Sequence, residues 1–83
     1  MNSKTLIIYK YQILYEILSE IKEYLNFDIL DVNQKNFETL ELDKFDDYLI
    51  LSSEDLPEFK NCIVLEDLPI KIYRLIQIIN INF

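Results

Sequence analysis

Four short apolar runs constrain the fold of this chain more than any other feature. They span residues 5–9, 27–30, 48–51 and 62–65, and isoleucine and leucine dominate them. The first run is β-branched and aromatic with no polar alternation, which is typical of a strand buried on both faces of a parallel sheet. With 83 residues in all, the chain has room for one domain, residues 1–83, with a single core.

Two segments have the periodicity of amphipathic helices, residues 11–25 and 70–80. Asn26 follows the first as a left-handed C-cap, in the place that glycine usually takes. The sequence leaves the polar segment 34–44 open between a short helix and an irregular crossover. The predicted core-facing residues of the two helices are, in chain order, Ile13, Leu14, Ile17, Leu18, Ile21 and Leu25, then Ile72, Leu75, Ile76 and Ile79.

The alternation of strands and helices predicts an α/β domain. Parallel strands need crossover connections, and these are right-handed in nearly all proteins. The predicted architecture is a small four-stranded parallel sheet in the order 2-1-3-4, with helices flanking it.

Missing residue types exclude most enzyme classes. The chain contains no glycine and no histidine, so it has neither a phosphate-binding glycine loop nor the commonest general base and metal ligand. Cys62 is the one cysteine, which excludes an internal disulfide and a cysteine-based zinc site. The sequence therefore predicts a protein that is not an enzyme and that uses no cofactor or metal.

The charge balance also limits the choice of partners. Eight lysines and arginines against fifteen acidic residues give a net charge of −7. Such a surface repels nucleic-acid phosphates and anionic lipid, so we expect this segment to contact neither directly. No apolar run reaches the ~18–20 residues of a membrane span, and no signal peptide is evident, so the predicted location is the cytoplasm.

The order of elements resembles a shortened receiver domain of bacterial response regulators, which has a flavodoxin-like topology. The segment 48–57, Tyr-Leu-Ile-Leu-Ser-Ser-Glu-Asp-Leu-Pro, is similar to the receiver's third strand and the phosphoacceptor loop after it. Residues 64–70 and the last helix are similar to the final strand, turn and helix of that family. The spacing of the last two strands implies that one strand–helix unit is missing.

At each position that handles phosphate in the family, this chain departs from the pattern. Tyr9, Lys10 and Tyr11 stand where the resemblance places the magnesium-binding acids, Ser53 matches the phosphoacceptor aspartate, and Leu68 matches the conserved lysine. Receiver chemistry needs a carboxylate nucleophile, carboxylate-bound Mg²⁺ and a lysine. The resemblance thus implies a degenerate receiver with no phosphoacceptor, N-terminal to a winged-helix DNA-binding domain and dimerising through its last helix.

The last helix carries more apolar surface than one core stripe can bury. Its predicted protein interface consists of Tyr73, Arg74, Ile78, Ile81 and Phe83. The sequence leaves two occupants open, a second copy of the chain or an attached C-terminal DNA-binding domain.

Two alternatives to a regulatory and dimerisation domain remain. A stand-alone adaptor would also work by protein contact. A small-ligand sensor would use the carboxyl end of the sheet, where open α/β sheets bind ligands, and the candidate site there is Tyr9, Tyr11 and Ser53.

Overall fold

The computed structural model describes residues 4–54, 56, 59, 61–65 and 71–83. Within these ranges the chain forms four strands, three helices and two short 3₁₀ turns. The turns are Lys22–Tyr24 and Leu42–Lys44. The other elements, in chain order, are β1 Lys4–Tyr9, α1 Gln12–Glu20, β2 Asp28–Val32, α2 Gln34–Thr39, β3 Asp47–Ser52, β4 Cys62–Val64 and α3 Ile72–Asn82.

The four strands form one parallel sheet in the order β2-β1-β3-β4. The predicted α/β class, strand order and flanking helices are confirmed. β1 lies inside the sheet, where Ile7 is paired with Leu30 of β2 on one side and with Ile50 of β3 on the other. Leu6, Ile7 and Ile8 of β1 are fully buried, as expected for an apolar run with helices on both faces of its sheet.

The sheet separates two apolar clusters, because successive strand residues point to opposite faces. Leu6 and Ile8 face α1 and α3, whose buried residues are Leu14, Leu18, Leu75 and Ile79. Ile7 and Ile50 face the other side, where Phe37 of α2, the residues around α2, and Leu56 and Phe59 pack against the sheet. The domain therefore has three layers, with α1 and α3 together on one face.

The inward side of α1 is narrower than the sequence predicts. Leu14 and Leu18 are buried, but Ile13 is 57% exposed and Ile17 is 41% exposed, so their prediction as core residues is wrong. Residues i and i+4 share a helix face, whereas neighbours are about 100° apart. With Leu14 and Leu18 against the sheet, Ile13 and Ile17 lie on a second row that faces solvent.

The first helix also ends earlier than predicted. α1 stops at Glu20, and a 3₁₀ turn follows with Leu25 as its extended C-cap. Lys10 is the residue with a positive φ among those described, so the prediction of a left-handed C-cap at Asn26 is wrong. Hydrogen bonds from Ile21 N to Leu18 O and from Tyr24 N to Ile21 O tighten this end of the helix without a left-handed residue.

The polar segment left open by the sequence contains the short helix α2. Asn33 caps it, since its side-chain oxygen accepts a hydrogen bond of 2.8 Å from the amide of Asn36. Asparagine at this position is among the strongest start signals for a helix. The 3₁₀ turn after α2 then leads to β3.

Candidate functional site

Tyr9, the first residue of the predicted ligand site, packs within the domain. It ends β1 on the α2 face of the sheet and is 7% exposed. Its ring centroid lies 4.7 Å from that of Phe37, a distance typical of favourable aromatic pairs. Tyr9 thus belongs to the core under α2.

Tyr11 lies on the opposite face of the sheet from Tyr9. Strict alternation along an extended chain would place both on one face, but Lys10 between them has a φ of 51°, and this left-handed residue breaks the alternation. Tyr11 therefore enters the cluster under α1 and α3, where its hydroxyl donates a hydrogen bond of 3.3 Å to the carbonyl oxygen of Leu65. The two tyrosines do not converge on one ligand.

The two serines at the end of β3 have different surroundings. Ser52 is fully buried, and its Oγ accepts a hydrogen bond of 3.0 Å from the amide of Glu54. Ser53, which matches the phosphoacceptor position, is exposed beyond the end of the strand. Leu68, the match for the family's lysine, lies outside the described residues. Among the described residues no acidic, histidine or cysteine side chains form a group of three that could hold a metal ion.

A shallow cleft of about 330 Å³ opens at the carboxyl end of β1 and β2. Tyr11 lines it, but Tyr9 and Ser53 do not. Its polar lining combines one cation, one anion and three amides, from Lys10, Asp31, Gln12, Asn33 and Asn36. This mixture of charged and amide side chains does not indicate one chemical class of ligand.

Burial raises the pKa of the Tyr11 hydroxyl above its ordinary value of 10. The folded state thus favours the neutral hydroxyl, while the unfolded chain ionises it from about pH 10 upward. This contribution to the free energy of unfolding is fully present below about pH 10 and is lost as the pH rises through the folded-state pKa. We expect Tyr11→Phe to reduce the alkaline loss of stability, measured by urea denaturation at neutral pH and above pH 10.

The matched control for this measurement is Tyr24→Phe. Tyr24 is 86% exposed, so its surroundings change little on unfolding. If Tyr11→Phe loses as much stability above pH 10 as Tyr24→Phe does, the buried hydroxyl has no part in the alkaline transition.

The predicted interface residues of α3 do not form one patch. Tyr73 is 65% exposed and Ile81 is 72% exposed, whereas Ile78 is half-buried and Arg74 exposed. Arg74, Ile78 and Ile81 share one row at spacings of four and three, and Tyr73 lies about 100° from Arg74 around the helix. Two different sides of α3 therefore meet solvent.

Phe83 packs against the core of this same domain, which the sequence did not indicate. Its ring centroid is 5.6 Å from that of Phe27, and the Lys4 ammonium lies 5.8 Å from its ring. Phe83 follows Leu75 and Ile79 at intervals of four, so the inward row of α3 extends to the end of the chain. Ile72, predicted as a core residue, is instead 38% exposed.

The strongest candidate site is thus the solvent-facing part of the two helices that cover one face of the sheet, which on α3 includes both of its exposed sides. Large apolar side chains are exposed on both: Ile13 and Ile17 on α1, and Ile72, Tyr73 and Ile81 on α3. We call these five residues the two-helix surface. The sequence did not predict that α1 belongs to this surface. A signal was present, because α1 carries two rows of aliphatic residues and one row is enough to cover the sheet.

Comparison with protein-family models, curated proteins and solved structures found no match for the chain. In the described part of the chain, no helix has both the length and the apolar character needed to cross a bilayer. The two-helix surface and the carboxyl end of the sheet are the features of the molecule that bear on its function.

Proposed function

We propose that this chain is a phosphorylation-independent regulatory and dimerisation domain of a cytoplasmic bacterial transcriptional response regulator. The observation that carries the proposal is the two-helix surface. Single exposed apolar residues are ordinary, but several on neighbouring elements are typical of surfaces that bind protein. Two of the five side chains are more than 60% exposed, Tyr73 and Ile81.

The surroundings of the residues that match the family's phosphate site support the phosphate-independent part of the proposal. Tyr9 and Tyr11 carry no carboxylate for Mg²⁺, and contacts within the two cores hold both side chains. Ser53 offers an exposed hydroxyl, which cannot form an acyl phosphate. In this proposal the regulator is controlled by assembly with protein, with an attached winged-helix domain supplying the DNA contacts.

The test is a fusion of this chain to a DNA-binding domain that binds its operator only as a dimer. We expect the purified fusion to bind the operator about tenfold or more tightly than the DNA-binding domain alone, because dimerisation raises the effective concentration of the second half-site contact. Acetyl phosphate with Mg²⁺ is expected to change neither operator affinity nor the intact mass of the protein. Gel-shift titration and mass spectrometry measure the two quantities.

Matched substitutions show whether the helices carry this activity. Ile81→Ser removes an exposed apolar side chain from the two-helix surface, and Tyr24→Ser removes one outside it. We expect the first to weaken operator binding and the second to leave it unchanged. Operator binding no tighter than that of the DNA-binding domain alone would contradict dimerisation, and a covalent phosphoryl group would contradict phosphorylation independence.

A small-ligand sensor is the second candidate, favoured by the cleft at the carboxyl end of β1 and β2. The purified fusion distinguishes the two functions, because a sensor would bind the operator only after a metabolite is added. A stand-alone adaptor would also use the two-helix surface, but its target would be a different protein and the fusion would bind the operator weakly.

A further inference from the structure

The two helices of the two-helix surface carry opposite charges. α1 contains Glu16 and Glu20 and no lysine or arginine, whereas α3 contains Arg74 and no acidic residue, and Lys71 directly precedes it. All four charged side chains are exposed. An otherwise acidic protein therefore has one basic helix and one acidic helix on the same face of its sheet.

Each of these charged groups lies close to exposed apolar residues. Glu16 follows Ile13, and Glu20 follows Ile17, at a spacing of three that makes them neighbours on the helix surface. Arg74 shares its row with Ile81. Apolar contacts with charges beside them resemble a protein interface, in which a dry centre is surrounded by a polar rim.

We infer that a second copy of this chain covers the two-helix surface, with α1 of each copy packed against α3 of the other. A contact with two-fold symmetry repeats each pairing, so acidic α1 meets basic α3 twice. Packing α1 on α1 would instead bring Glu16 and Glu20 against themselves, and packing α3 on α3 would oppose the basic groups. The inference rests on the proposed dimerisation and specifies its geometry.

Charge complementarity favours a second copy over a different protein. A different partner would need a basic surface for α1 and an acidic surface for α3 at the correct separation, and this chain already presents both. The net charge of −7 opposes self-association, but salt at physiological ionic strength screens exposed charges beyond about 8 Å. This screening weakens the long-range repulsion between two copies more than it weakens pairing between groups in contact across the helices.

The decisive experiment exchanges the charges on one helix at a time. The variants are Glu16→Lys/Glu20→Lys and Lys71→Glu/Arg74→Glu, and each alone places like charges in contact at both repeats. We expect the dimer Kd of each variant to rise about tenfold or more. An equimolar mixture restores opposite charges at both repeats, so a heterodimer is expected with a Kd within about threefold of that of the unmodified dimer. Sedimentation gives the Kd, and native mass spectrometry identifies the heterodimer.

Glu38→Lys and Lys35→Glu are the matched controls, because both exposed residues lie on α2 across the sheet. They are expected to leave the Kd of the dimer unchanged. The α1 variant brings the net charge closer to zero, so an association governed by net charge would become tighter, and that result would overturn the inference. Failure of the two variants to form the heterodimer would also overturn it.

The outcomes separate this inference from the proposed function. If neither charge exchange changes the Kd of the dimer, the α1–α3 geometry is wrong and regulatory dimerisation still stands. A strict monomer at high micromolar concentration overturns the inference and the dimeric form of the proposed function together. The operator-binding test of the fusion then shows independently whether any regulatory activity remains.

Discussion

Leu14→Ala is expected to lower the free energy of unfolding by about 2–5 kcal/mol, the range for large-to-small changes at well-packed sites. Leu14 is 1% exposed and lies in the cluster between α1, α3 and the sheet. Alanine removes its methyl groups and leaves a cavity that the surrounding strands can fill only in part. A domain of this length has only about 4–12 kcal/mol of stability in total, so the variant is expected to be close to unfolding at 37 °C.

The neighbouring residue supplies the control. Ile13→Ala makes a comparable change on the same helix, but Ile13 is 57% exposed, and alanine has the higher helix propensity. We expect this variant to change the free energy of unfolding by less than about 1 kcal/mol. Urea denaturation of both variants at low protein concentration, where the proposed dimer dissociates, gives the comparison. Equal losses would contradict the inward direction of Leu14 and the outward direction of Ile13.

The two substitutions also separate folding from assembly. Ile13 belongs to the two-helix surface, so Ile13→Ala is expected to weaken the proposed dimerisation while leaving the monomer folded. Leu14→Ala is expected to do the reverse, weakening the monomer without touching the proposed contact surface. Two adjacent residues thus test folding and the proposed assembly separately, because a helix turns by about 100° from each residue to the next.

The sheet could be predicted from the sequence because its signal is local. The runs at residues 5–9 and 48–51 are apolar enough to be buried on both faces, and crossover rules then leave few possible strand orders. Among those few orders, the predicted β2-β1-β3-β4 is confirmed.

The inward faces of the helices were harder to predict, because they depend on contacts between distant residues. In α1, the row of Leu14 and Leu18 and the row of Ile13 and Ile17 are equally apolar, so periodicity alone cannot choose between them. The choice depends on where the sheet lies relative to the helix. The hydrogen bond from Tyr11 to Leu65, which are 54 residues apart, illustrates the kind of contact involved.

The positions of Tyr9 and Tyr11 depend on a different physical cause. The sequence grouped the two tyrosines because both lie at the carboxyl end of the first strand, where open α/β sheets bind ligands. Lys10 between them has a left-handed conformation, so the two side chains enter different clusters, and lysine carries no preference for such a conformation. Nothing in the residue types at this turn indicates this conformation.

Phe37→Ala is expected to cost about 2–3 kcal/mol, somewhat less than at a fully buried phenylalanine, because Phe37 is half-buried. α2 spans six residues, and a helix this short is unstable in water without tertiary contacts. Phe37 supplies those contacts, with its ring centroid 4.7 Å from that of Tyr9 and 5.0 Å from that of Phe59. Removal of the ring is therefore expected to detach α2 from the sheet.

The layered structure predicts which backbone amides lose protection from hydrogen exchange in Phe37→Ala. The amide of residue 37 donates a hydrogen bond of 2.9 Å to the carbonyl oxygen of Asn33, and its hydrogen exchange is expected to accelerate strongly in Phe37→Ala. Amides of β1, which lies inside the sheet, are expected to accelerate only as far as global stability falls. Glu38→Ala, at the exposed neighbouring position, is the control and is expected to change stability by less than about 0.5 kcal/mol. If Phe37→Ala costs no more than that control, α2 is held by its cap at Asn33 and by the segments beside it, and the aromatic contacts are dispensable.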